Sequence, residues 1–475
     1  MPQYHKTLID GKWVETGHDL EVLNKYTGEV AAKVARADEA VARRAVQAAA
    51  RAFESYRKTP AHARAAILET VAHSLWQRAE KLAEIISMET GKALKFSLNE
   101  AQRSSETFKF AAEEAKRIHG ETIPMDASRF GENRIGYYLR VPVGVVGAIT
   151  PFNFPLNLVA HKVAPALAAG NTVVLKPAST TPLSALKLGE LLMEAGLPPG
   201  ALNIVVGPGA EVGDAIVTHP ACRKITFTGS AEVGEKIIAK AGIKKVTLEL
   251  GNNSATLIEP DADLEKAAGR CVVSAFANSG QVCISLQRIY VHRACADAFT
   301  ELLVEKVKDL KVGNPLDPNC DVGPMIDPQE VERIDAWVRD AVAQGASVAV
   351  GGHAEGRMFQ PTVLTDVTED MKVMCRETFA PVVSIVVYDD FETALEKVNA
   401  SDYGLQAGIY TNDIRKAMQA VQALDVGGVM INDTPTYRVD HFPYGGNKRS
   451  GLGREGVRFA IEDMTTIKMV VINQE

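Results

Sequence analysis

The sequence predicts an α/β protein built on parallel sheets, and three features of its pattern support that class. Continuously apolar stretches of strand length recur through the middle of the chain, as is typical of strands covered on both faces by helices. Their starts lie 28, 30, 22 and 21 residues apart, the spacing of successive βα units. A second alternation of strand-like and helix-like segments follows. The predicted strands of the first series are 144–150, 172–176, 202–206, 224–228 and 245–249.

Each series predicts a domain of its own. The first is typical of a dinucleotide-binding domain, so we expect residues 1–121 and 143–249 to form a Rossmann-like cofactor domain. The second predicts an α/β catalytic domain over residues 250–455. Residues 122–142 and 456–475 each contain a strand-like segment that needs a partner edge. We expect these two segments to form a small β arm that is buried in an oligomer.

The N-terminal part of the chain has a different pattern. Residues 1–35 predict a short β element that is broken by turns. Residues 37–120 carry apolar side chains three and four positions apart, as in Leu68, Val71 and Leu75. This spacing predicts a layer of long helices with a charged outer face.

The second series predicts both kinds of element between residues 255 and 432. Strands are expected at 255–258, 287–292, 347–350, 381–388, 407–411 and 427–432. Helices are expected at 263–279, 296–310, 328–344, 391–398 and 413–423.

Composition limits the classes of partner. Hydrophobic residues make up 46% and charged residues 23% of the 475, which is ordinary for a globular enzyme. The net charge of −7 is spread along the chain without a basic block, which argues against a nucleic-acid partner. Prolines and asparagines interrupt the longest apolar tract, 141–160, so we expect no membrane span. Residues 1–13 lack the apolar core of a secretion signal, which predicts a cytoplasmic protein.

Six cysteines are scattered without CxxC or histidine-rich spacing, which predicts reduced thiols and no metal site. Cys283 stands out because it lies in a loop between a helical segment that ends near Gly280 and a strand that begins near Gln287. Loops between rigid elements often carry catalytic groups, and thiolate is the reactive form of cysteine. The alternative is a small apolar residue without a chemical role.

Two polar residues at predicted strand ends are candidates to act with Cys283. Glu249 closes an apolar strand 34 residues upstream, at the carboxyl end where parallel sheets place their sites. Asn153 follows the first strand of the sheet, between aromatic residues and prolines that would hold its amide rigidly. A rigid amide donor near a thiolate suits an oxyanion. A surface glutamate and a turn asparagine are the alternatives.

Other strand ends predict a nucleotide site. Lys176 ends the second strand, from which its ammonium can reach ribose hydroxyls or phosphate, the alternative being a surface lysine. Gly229 and Ser230 join a strand to a helix whose free N–H groups suit a pyrophosphate. The turn Gly207-Pro208-Gly209 after the third strand also permits close approach of a ligand to the backbone.

From end to end, the chain resembles the aldehyde dehydrogenase superfamily, and most closely its lactaldehyde dehydrogenase branch. The motifs that carry the resemblance stand in one order along the chain. They are the segment around Asn153, Lys176-Pro177-Ala178-Ser179, Gly229-Ser230, Glu249-Leu250-Gly251, Gly280-Gln281-Val282-Cys283-Ile284-Ser285, Glu377-Thr378-Phe379-Ala380-Pro381, Asn399-Ala400-Ser401-Asp402-Tyr403-Gly404-Leu405, and His441-Phe442-Pro443-Tyr444-Gly445-Gly446-Asn447-Lys448-Arg449-Ser450-Gly451.

The resemblance implies a complete mechanism. Cys283 matches the nucleophile that attacks the aldehyde to give a thiohemiacetal, while Asn153 and the Cys283 N–H match its oxyanion hole. Hydride transfer to a nicotinamide then leaves a thioester. Glu249 matches the general base that activates water to release the free acid.

The resemblance also implies how NAD or NADP is held. Lys176 and Glu377 match residues that hold the two riboses, Phe379 packs near the nicotinamide, and Ser230 contacts the pyrophosphate. The full set of expected cofactor-binding residues is Thr150, Pro151, Phe152, Lys176, Ser179, Gly209, Gly213, Phe227, Gly229, Ser230, Val233, Leu250, Glu377 and Phe379.

Two positions depart from the usual family pattern. Ser179 stands where NAD-preferring relatives usually have a glutamate that repels a 2′-phosphate, so we predict that NADP is accepted, with Lys176 as the nearby cation. Asn252 replaces a glycine after Glu249-Leu250-Gly251, which alters the local backbone but not the catalytic assignment.

The resemblance favours a small hydroxyaldehyde such as lactaldehyde as the substrate and a homodimer or homotetramer as the assembly. Arg103 and Arg438 are candidates to meet a carboxylate or sulfonate, or are solvated or ion-paired. A semialdehyde or a non-phosphorylating glyceraldehyde-3-phosphate reaction is the alternative, although Val282 before Cys283 is not an anion anchor. A CoA-acylating relative would generally lack Glu249, and a cysteine hydrolase would need a histidine base in a recognisable signature.

Overall fold

The N-terminal residues form five short strands and then four helices in the computed structural model, which describes residues 2–475. The strands are β1 (Gln3–His5), β2 (Thr7–Ile9), β3 (Lys12–Val14), β4 (Asp19–Leu23) and β5 (Val30–Ala35). The helices are α1 (Glu39–Tyr56), α2 (Ala61–Gln77), α3 (Ala79–Thr90) and α4 (Leu94–Ala115). The predicted helical layer is thus four helices, because Pro60 precedes α2 and Gly91, at a φ of 82°, ends α3.

Two strands of the predicted arm and the first βα series come next. The arm strands are β6 (Thr122–Ile123) and β7 (Arg134–Pro142). The series is β8 (Val145–Ile149), α5 (Asn157–Ala168), β9 (Thr172–Lys176), α6 (Leu183–Glu194), β10 (Leu202–Ile204), α7 (Asp214–Thr218), β11 (Cys222–Thr228), α8 (Ala231–Ala241) and β12 (Lys245–Glu249). All five predicted strands are present.

The second series begins directly after β12. Its first part is β13 (Ser254–Ile258), α9 (Leu264–Phe276), β14 (Leu286–His292), α10 (Ala296–Lys308), α11 (Pro328–Ala343), β15 (Ser347–Val350), β16 (Ala354–Glu355), β17 (Met358–Phe359), β18 (Thr362–Thr365) and α12 (Lys372–Cys375). The remainder is β19 (Val382–Tyr388), α13 (Phe391–Asn399), β20 (Tyr403–Gly404), β21 (Gln406–Tyr410), α14 (Ile414–Ala423), β22 (Gly428–Ile431), β23 (Asn447–Lys448), β24 (Gly451–Leu452), α15 (Val457–Asp463) and β25 (Thr465–Asn473).

Each series supplies one large sheet, which confirms the predicted α/β class. The first sheet has the order β24-β12-β11-β8-β9-β10-β2-β3, with β8 to β12 parallel. The second has the order β15-β18-β19-β14-β13-β21-β22 and is parallel except at β15. In the first sheet the chain progresses outward on one side of β8 and then on the other. The carboxyl ends of β8 and β11 therefore flank a crevice of the kind in which α/β sheets bind ligands.

The C-terminal segment differs from the expectation of an arm made of strands alone. Residues 457–463 form α15, because Val457, Ala460, Ile461 and Met464 fall on one helical face and are buried against the first series. Only β25 behaves as an arm strand, and it pairs with β7 in antiparallel register over nine residues of each strand. One edge of β25 is therefore already paired within the chain, without a second copy. Burial of the arm in an oligomer stays a prediction.

Another difference lies at β24, inside the segment assigned to the catalytic domain. Residues 451 and 452 pair antiparallel with Glu249 and Leu248 and so add an edge strand to the first sheet. The two-domain division stays a prediction, with the two sheets as its support. None of the helices in residues 2–475 combines the length and the apolar character needed to cross a membrane.

Candidate active site

Cys283 lies in the loop between α9 and β14, and this loop is more tightly built than the sequence indicates. The expected helix 263–279 ends at Phe276, because Asn278 and Ser279 adopt φ values of 51° and 55° that an α-helix cannot contain. Gly280 follows at a φ of 70°, and a Cβ there would lie 2.0 Å from the Ala380 carbonyl oxygen. The loop therefore passes against the segment before β19 and fixes the position of Cys283.

Two cavities meet at Cys283. The first, here called the basic cavity, is about 470 Å³ and is lined by Lys92, Lys95, Phe96, Asn99, Arg103, Phe154, Asn157, Leu158, Arg270, Val273, Ala277, Asn278, Val282, Cys283, Ile284, Thr436, Arg438 and Tyr444. The second, here called the sheet-edge cavity, is about 480 Å³ and lies at the carboxyl ends of β8, β11 and β12. Its lining is Pro151, Phe152, Asn153, Thr180, Thr228, Gly229, Ser230, Leu250, Gly251, Gln281, Cys283, Ile326, Asp327, Gln329, Glu330, Glu377 and Phe379. Two molecules, one bound in each cavity, would therefore meet at the Cys283 sulfur.

Asn153 borders the sheet-edge cavity together with Cys283, as its predicted role requires. The side chain is buried, and its Nδ2 donates a hydrogen bond to the Gln281 carbonyl oxygen at 3.0 Å. Asn278 Nδ2 donates to the same oxygen at 3.2 Å. The amide is thus held rigidly, although its donor points to the backbone of the Cys283 loop.

Glu249 ends β12 and is buried, with no hydrogen-bond partner for either carboxylate oxygen among residues 2–475. Burial raises its pKa well above the ordinary value, and the charge of Glu455 adds to that shift. Gly445 lies beside it, and a Cβ there would come within 3.0 Å of Glu249 Oε1. Such an unpaired acid with a raised pKa is suited to take up a proton.

A group of five charged or titratable side chains lies behind this carboxylate, and we call it the buried ion cluster: His161, Lys162, Arg438, Asp440 and Glu455. Lys162 Nζ lies 2.5 Å from Glu455 Oε1, and Arg438 lies 3.4 Å from the other oxygen. His161 Nε2 lies 2.8 Å from Asp440 Oδ1. Burial acts to raise the pKa of Glu455, but the charges of Lys162, His161 and Arg438 lower it to about 2. The cluster therefore holds an ionised carboxylate close to Glu249.

The Cys283 thiol has one hydroxyl neighbour, Tyr444, whose oxygen is 3.0 Å from Sγ. Burial raises the pKa of the thiol to about 11, against the hydrogen bond from Tyr444 and the charge of Arg438, which lower it. The other five cysteines are also free thiols in this structure.

The structure brings part of the expected cofactor set together around the sheet-edge cavity. The members that line it are Pro151, Phe152, Gly229, Ser230, Leu250, Glu377 and Phe379. Phe152 and Phe379 meet edge to face at 5.8 Å between ring centroids. Glu377 Oε1 accepts the Asn252 N–H at 3.0 Å, and burial raises its pKa to about 7. Two aromatic rings and an acid therefore face the cavity near the sulfur.

The other expected cofactor residues lie outside this lining. They are Thr150, Lys176, Ser179, Gly209, Gly213, Phe227 and Val233. Lys176 is buried with a single carbonyl partner, Pro177, at 3.0 Å, and burial lowers its pKa to about 8. Ser179 Oγ donates to the Gly207 carbonyl oxygen at 2.8 Å. Gly213 is adjacent to Lys176, since a Cβ there would lie 3.7 Å from its Cδ.

A nicotinamide dinucleotide fits these groups. The cavity supplies aromatic walls and an acid, and the N-terminus of α8 lies at its edge, where the Ser230 Oγ accepts the Val233 N–H at 3.4 Å. Lys176 presents a buried ammonium with one hydrogen bond, which leaves donors for ribose hydroxyls. Phe227 packs beneath Gly229 and supports that turn.

Sequence reasoning missed the roles of several residues that the structure places at the site. Tyr444 contacts the sulfur, Gly445 makes room for Glu249, and the buried ion cluster lies behind both. The aromatic and glycine run at 442–446 was a visible signal for the first two. Of the cluster, the sequence indicated only Arg438, because the members come from α5 and from the segment between β22 and α15.

The chain matches the aldehyde dehydrogenase family over residues 13–470. It belongs to that family. This aldehyde dehydrogenase is 50% identical over 465 residues to the 3-sulfolactaldehyde dehydrogenase of Priestia aryabhattai, covering 98% of this chain and 97% of the relative. It is 41% identical over 471 residues to the lactaldehyde dehydrogenase of Methanocaldococcus jannaschii, covering 98% and 100%.

Solved structures support the same family assignment. Aldehyde dehydrogenase 21 from Physcomitrella patens, crystallised with the reaction product succinate, superposes with a TM-score of 0.97 at 42% identity, covering 100% of this chain and 99% of that one. Glyceraldehyde-3-phosphate dehydrogenase GapN from Methanocaldococcus jannaschii, complexed with NADP, gives a TM-score of 0.93 at 41% identity, covering 96% and 100%. The protein is therefore an NAD(P)-dependent enzyme that oxidises an aldehyde, which confirms the predicted class.

Proposed function

We propose that this aldehyde dehydrogenase oxidises a short hydroxyaldehyde with an anionic end, with 3-sulfolactaldehyde as the best candidate, to the free acid. The observation that carries the proposal is the charge of the basic cavity. Among residues 2–475, its lining includes five basic side chains, Lys92, Lys95, Arg103, Arg270 and Arg438, and no acidic one. Such a wall favours an anion over uncharged lactaldehyde. The 50% identical relative is named for a sulfonated hydroxyaldehyde.

Each of these cations is held by an acid that lies outside the cavity lining. Arg103 makes two hydrogen bonds to Asp440, at 2.7 and 3.1 Å, and Arg270 lies 2.8 Å from Asp433. Lys95 pairs with Asp321. The acids fix the cationic groups at the wall without placing negative charge in the cavity. We assign the sulfonate or carboxylate to the partly exposed Arg103, because the Arg438 side chain is only 7% exposed.

The proposed chemistry uses the residues at the junction of the cavities. Cys283 attacks the carbonyl carbon as a thiolate, and the oxygen that becomes negative lies toward the Asn153 amide and the Cys283 N–H. A nicotinamide cofactor, when bound, accepts the hydride that leaves this carbon. Glu249 takes a proton from a water that attacks the resulting thioester, which releases the acid and restores the thiol.

A panel of aldehydes with both cofactors tests the proposal. We expect 3-sulfolactaldehyde to give a higher kcat/KM than lactaldehyde, with succinate semialdehyde as the second candidate because Physcomitrella patens aldehyde dehydrogenase 21 was crystallised with succinate. Arg103→Gln is expected to raise the KM for the anionic substrate about 10- to 100-fold and leave that for lactaldehyde nearly unchanged. Arg117→Gln, at an exposed arginine beyond the end of α4, is the control. Equal losses for both aldehydes would contradict the assignment of Arg103.

We also propose that NADP is accepted. Position 179 carries no carboxylate, and the nearby turn has its acid, Glu211, paired with Arg36 at 2.6 Å. Ser179→Glu is expected to lower kcat/KM for NADP about 10- to 100-fold relative to NAD. Thr218→Glu adds the same charge at an exposed end of α7 and should leave the ratio unchanged. An unchanged ratio in Ser179→Glu would refute the cofactor argument.

The β arm supports a further proposal, that copies of the chain associate through it. The sheet β25-β7-β6 exposes apolar side chains on both faces, with Ile135, Leu139 and Ile472 on one face and Ile467, Met469 and Val471 on the other. Exposed strands of this kind are usually covered in a stable protein. Light scattering on the purified enzyme should give a dimer or a tetramer, and Ile467→Lys should shift it toward the monomer.

A further inference from the structure

Tyr444 is held more firmly than its place in a loop suggests. Its backbone pairs with Glu455 in both directions, with N···O distances of 3.1 and 2.6 Å. The residue is 2% exposed, and the Phe442 ring meets the Tyr444 ring edge on at 6.3 Å between ring centroids. The hydroxyl therefore has a fixed position relative to the Cys283 loop.

Three observations converge on this hydroxyl. It lies 3.0 Å from Cys283 Sγ, within hydrogen-bond distance for sulfur. The Arg438 guanidinium carbon lies 3.6 Å from the centroid of the tyrosine ring, close enough for a cation–π contact. Arg438 itself lies 3.4 Å from Glu455. The Arg438 guanidinium thus stacks on the Tyr444 ring, and the hydroxyl of that ring contacts the Cys283 sulfur.

The charged groups around the pair define what the hydroxyl can do. The charges of Glu249 and Glu377 raise the pKa of the Cys283 thiol and so disfavour its anion, whereas the charge of Arg438 favours it. Tyr444 contacts Cys283 and Arg438, and burial raises its pKa well above the ordinary value. Tyr444 is therefore a neutral phenol with one proton to donate, and a thiolate is an acceptor for that proton.

We propose that Tyr444 is a positioning residue that donates a hydrogen bond to the Cys283 thiolate and holds the sulfur at the junction of the two cavities. The Arg438 cation stacked on its ring draws electron density from the phenol and makes it a better donor. When the thiol ionises, its proton leaves to water, and the phenol proton stays on the Tyr444 oxygen. No bond to Tyr444 forms or breaks. The inference rests on the proposed role of Cys283 as the nucleophile.

The test measures the thiolate directly and needs neither aldehyde nor cofactor. Alkylation of Cys283 by iodoacetamide is followed on its peptide by mass spectrometry, with pH-jump mixing from about pH 7 to about pH 12. Tyr444→Phe keeps the ring, its packing on Phe442 and the stack under Arg438, and it removes only the donor. We expect the pH midpoint to rise by about one unit and the rate below the midpoint to fall about three- to tenfold, since weaker stabilisation leaves less thiolate but a more nucleophilic one.

Two further variants keep the outcome interpretable. Tyr26→Phe removes a phenol hydroxyl from an exposed tyrosine outside both cavity linings, and the midpoint should stay at the wild-type value. Arg438→Met should raise the midpoint more in the wild type than in Tyr444→Phe, because part of its effect passes through the phenol. An unchanged midpoint in Tyr444→Phe would overturn the inference, and equal shifts from Arg438→Met in both backgrounds would overturn the part assigned to Arg438. A failed aldehyde panel with a shifted midpoint would instead count against the proposed substrate.

Discussion

Glu249 and Glu455 are both glutamates and are equally buried, each 2% exposed, but their surroundings are opposite. Glu455 is bound by Lys162 at 2.5 Å and lies near Arg438, which brings its pKa to about 2 despite burial. Glu249 has no partner for either oxygen, and its pKa is raised well above the ordinary value. The charge of Glu455 is therefore compensated by buried cations, whereas the carboxylate of Glu249 has no compensating partner.

The difference separates a structural charge from a chemical one. A buried carboxylate without a donor destabilises the native state, and such a group persists where a reaction uses it. Proximity links the two residues, because the charge of Glu455 helps to raise the pKa of Glu249. The buried ion cluster thus acts as a fixed negative neighbour that keeps a proposed general base ready to accept a proton.

The largest expected effect comes from removing the uncompensated acid. Glu249→Gln should lower steady-state kcat about 10²- to 10⁴-fold, because water attack on the thioester loses its base. The first turnover should still release reduced cofactor in a burst, which stopped-flow absorbance at 340 nm measures. In the wild type, kcat should fall as pH falls through the raised pKa of Glu249, since only the carboxylate accepts a proton. A normal steady-state rate in Glu249→Gln would exclude it as the base.

The next effect concerns the compensated acid. Glu455→Gln leaves Lys162 buried without its counter-charge, and we expect a loss of about 3–5 kcal/mol in the free energy of unfolding. Denaturant unfolding measures the change. Glu462→Gln, which breaks an exposed pair with Arg458 on α15, should cost less than about 1 kcal/mol. Similar small losses in both variants would show that Glu455 is not a structural charge.

The lowered pKa of Glu455 also predicts how the free energy of unfolding changes with pH on the acid side. Because the folded-state pKa of Glu455 is about 2, below the ordinary 4.5, the unfolded chain binds more protons between these values. The stabilisation by Glu455 is therefore fully present above pH 4.5 and is lost as pH falls through about 2. Glu455→Gln should flatten this part of the profile, and a profile as steep as that of the wild type would contradict it.

A smaller effect is expected when both partners are neutralised. Lys162→Met combined with Glu455→Gln should be more stable than Glu455→Gln alone, by about 0.5–3 kcal/mol, because no buried charge is left unpaired. Chemical unfolding of the single and double variants measures this coupling. Simple addition of the two single losses would mean that the pair does not act as a unit.

The smallest effect is a gain. Glu249→Gln should raise the free energy of unfolding at neutral pH by about 0.5–2 kcal/mol, because the native state no longer buries an ionisable group without a partner. The sign follows from the raised pKa, which makes the wild type less stable as pH rises above 4.5. Thermal melts at a series of pH values should show no gain below pH 4.5 and a gain that grows as the pH rises from 4.5 toward the raised pKa. A loss of stability would mean that Glu249 is compensated.

Local pattern predicted the strands of the first series and the candidate reactive residues, but it missed β18, which lies between β15 and β19 in the second sheet, and the edge strand β24. The five strands of the first series follow from apolar runs, and Cys283 and Glu249 follow from their places at the ends of elements. The end of α9 was wrong by three residues, because the left-handed backbone at Asn278 and Ser279 depends on contacts such as the Ser279 hydroxyl on the Gly323 carbonyl. Such a contact leaves no periodic trace in the sequence.

Features that join distant parts of the chain were predictable only in part. The five basic residues of the basic cavity span positions 92 to 438, and the sequence indicated only Arg103 and Arg438 as candidates to meet an anion. The contact between Tyr444 and Cys283 likewise joins residues 161 positions apart. Sequence pattern finds the ends of elements, whereas the composition of a cavity emerges only when helices and sheets are assembled.

The pairing of β24 with β12 has a consequence for how the enzyme is made. The edge of the sheet next to Glu249 is completed by residues 451 and 452, which leave the ribosome long after the strand they join. A nascent chain therefore cannot frame its reaction centre until synthesis is nearly finished. Products of premature termination before this strand would carry Cys283 and Glu249 without the strand that completes the sheet edge beside Glu249.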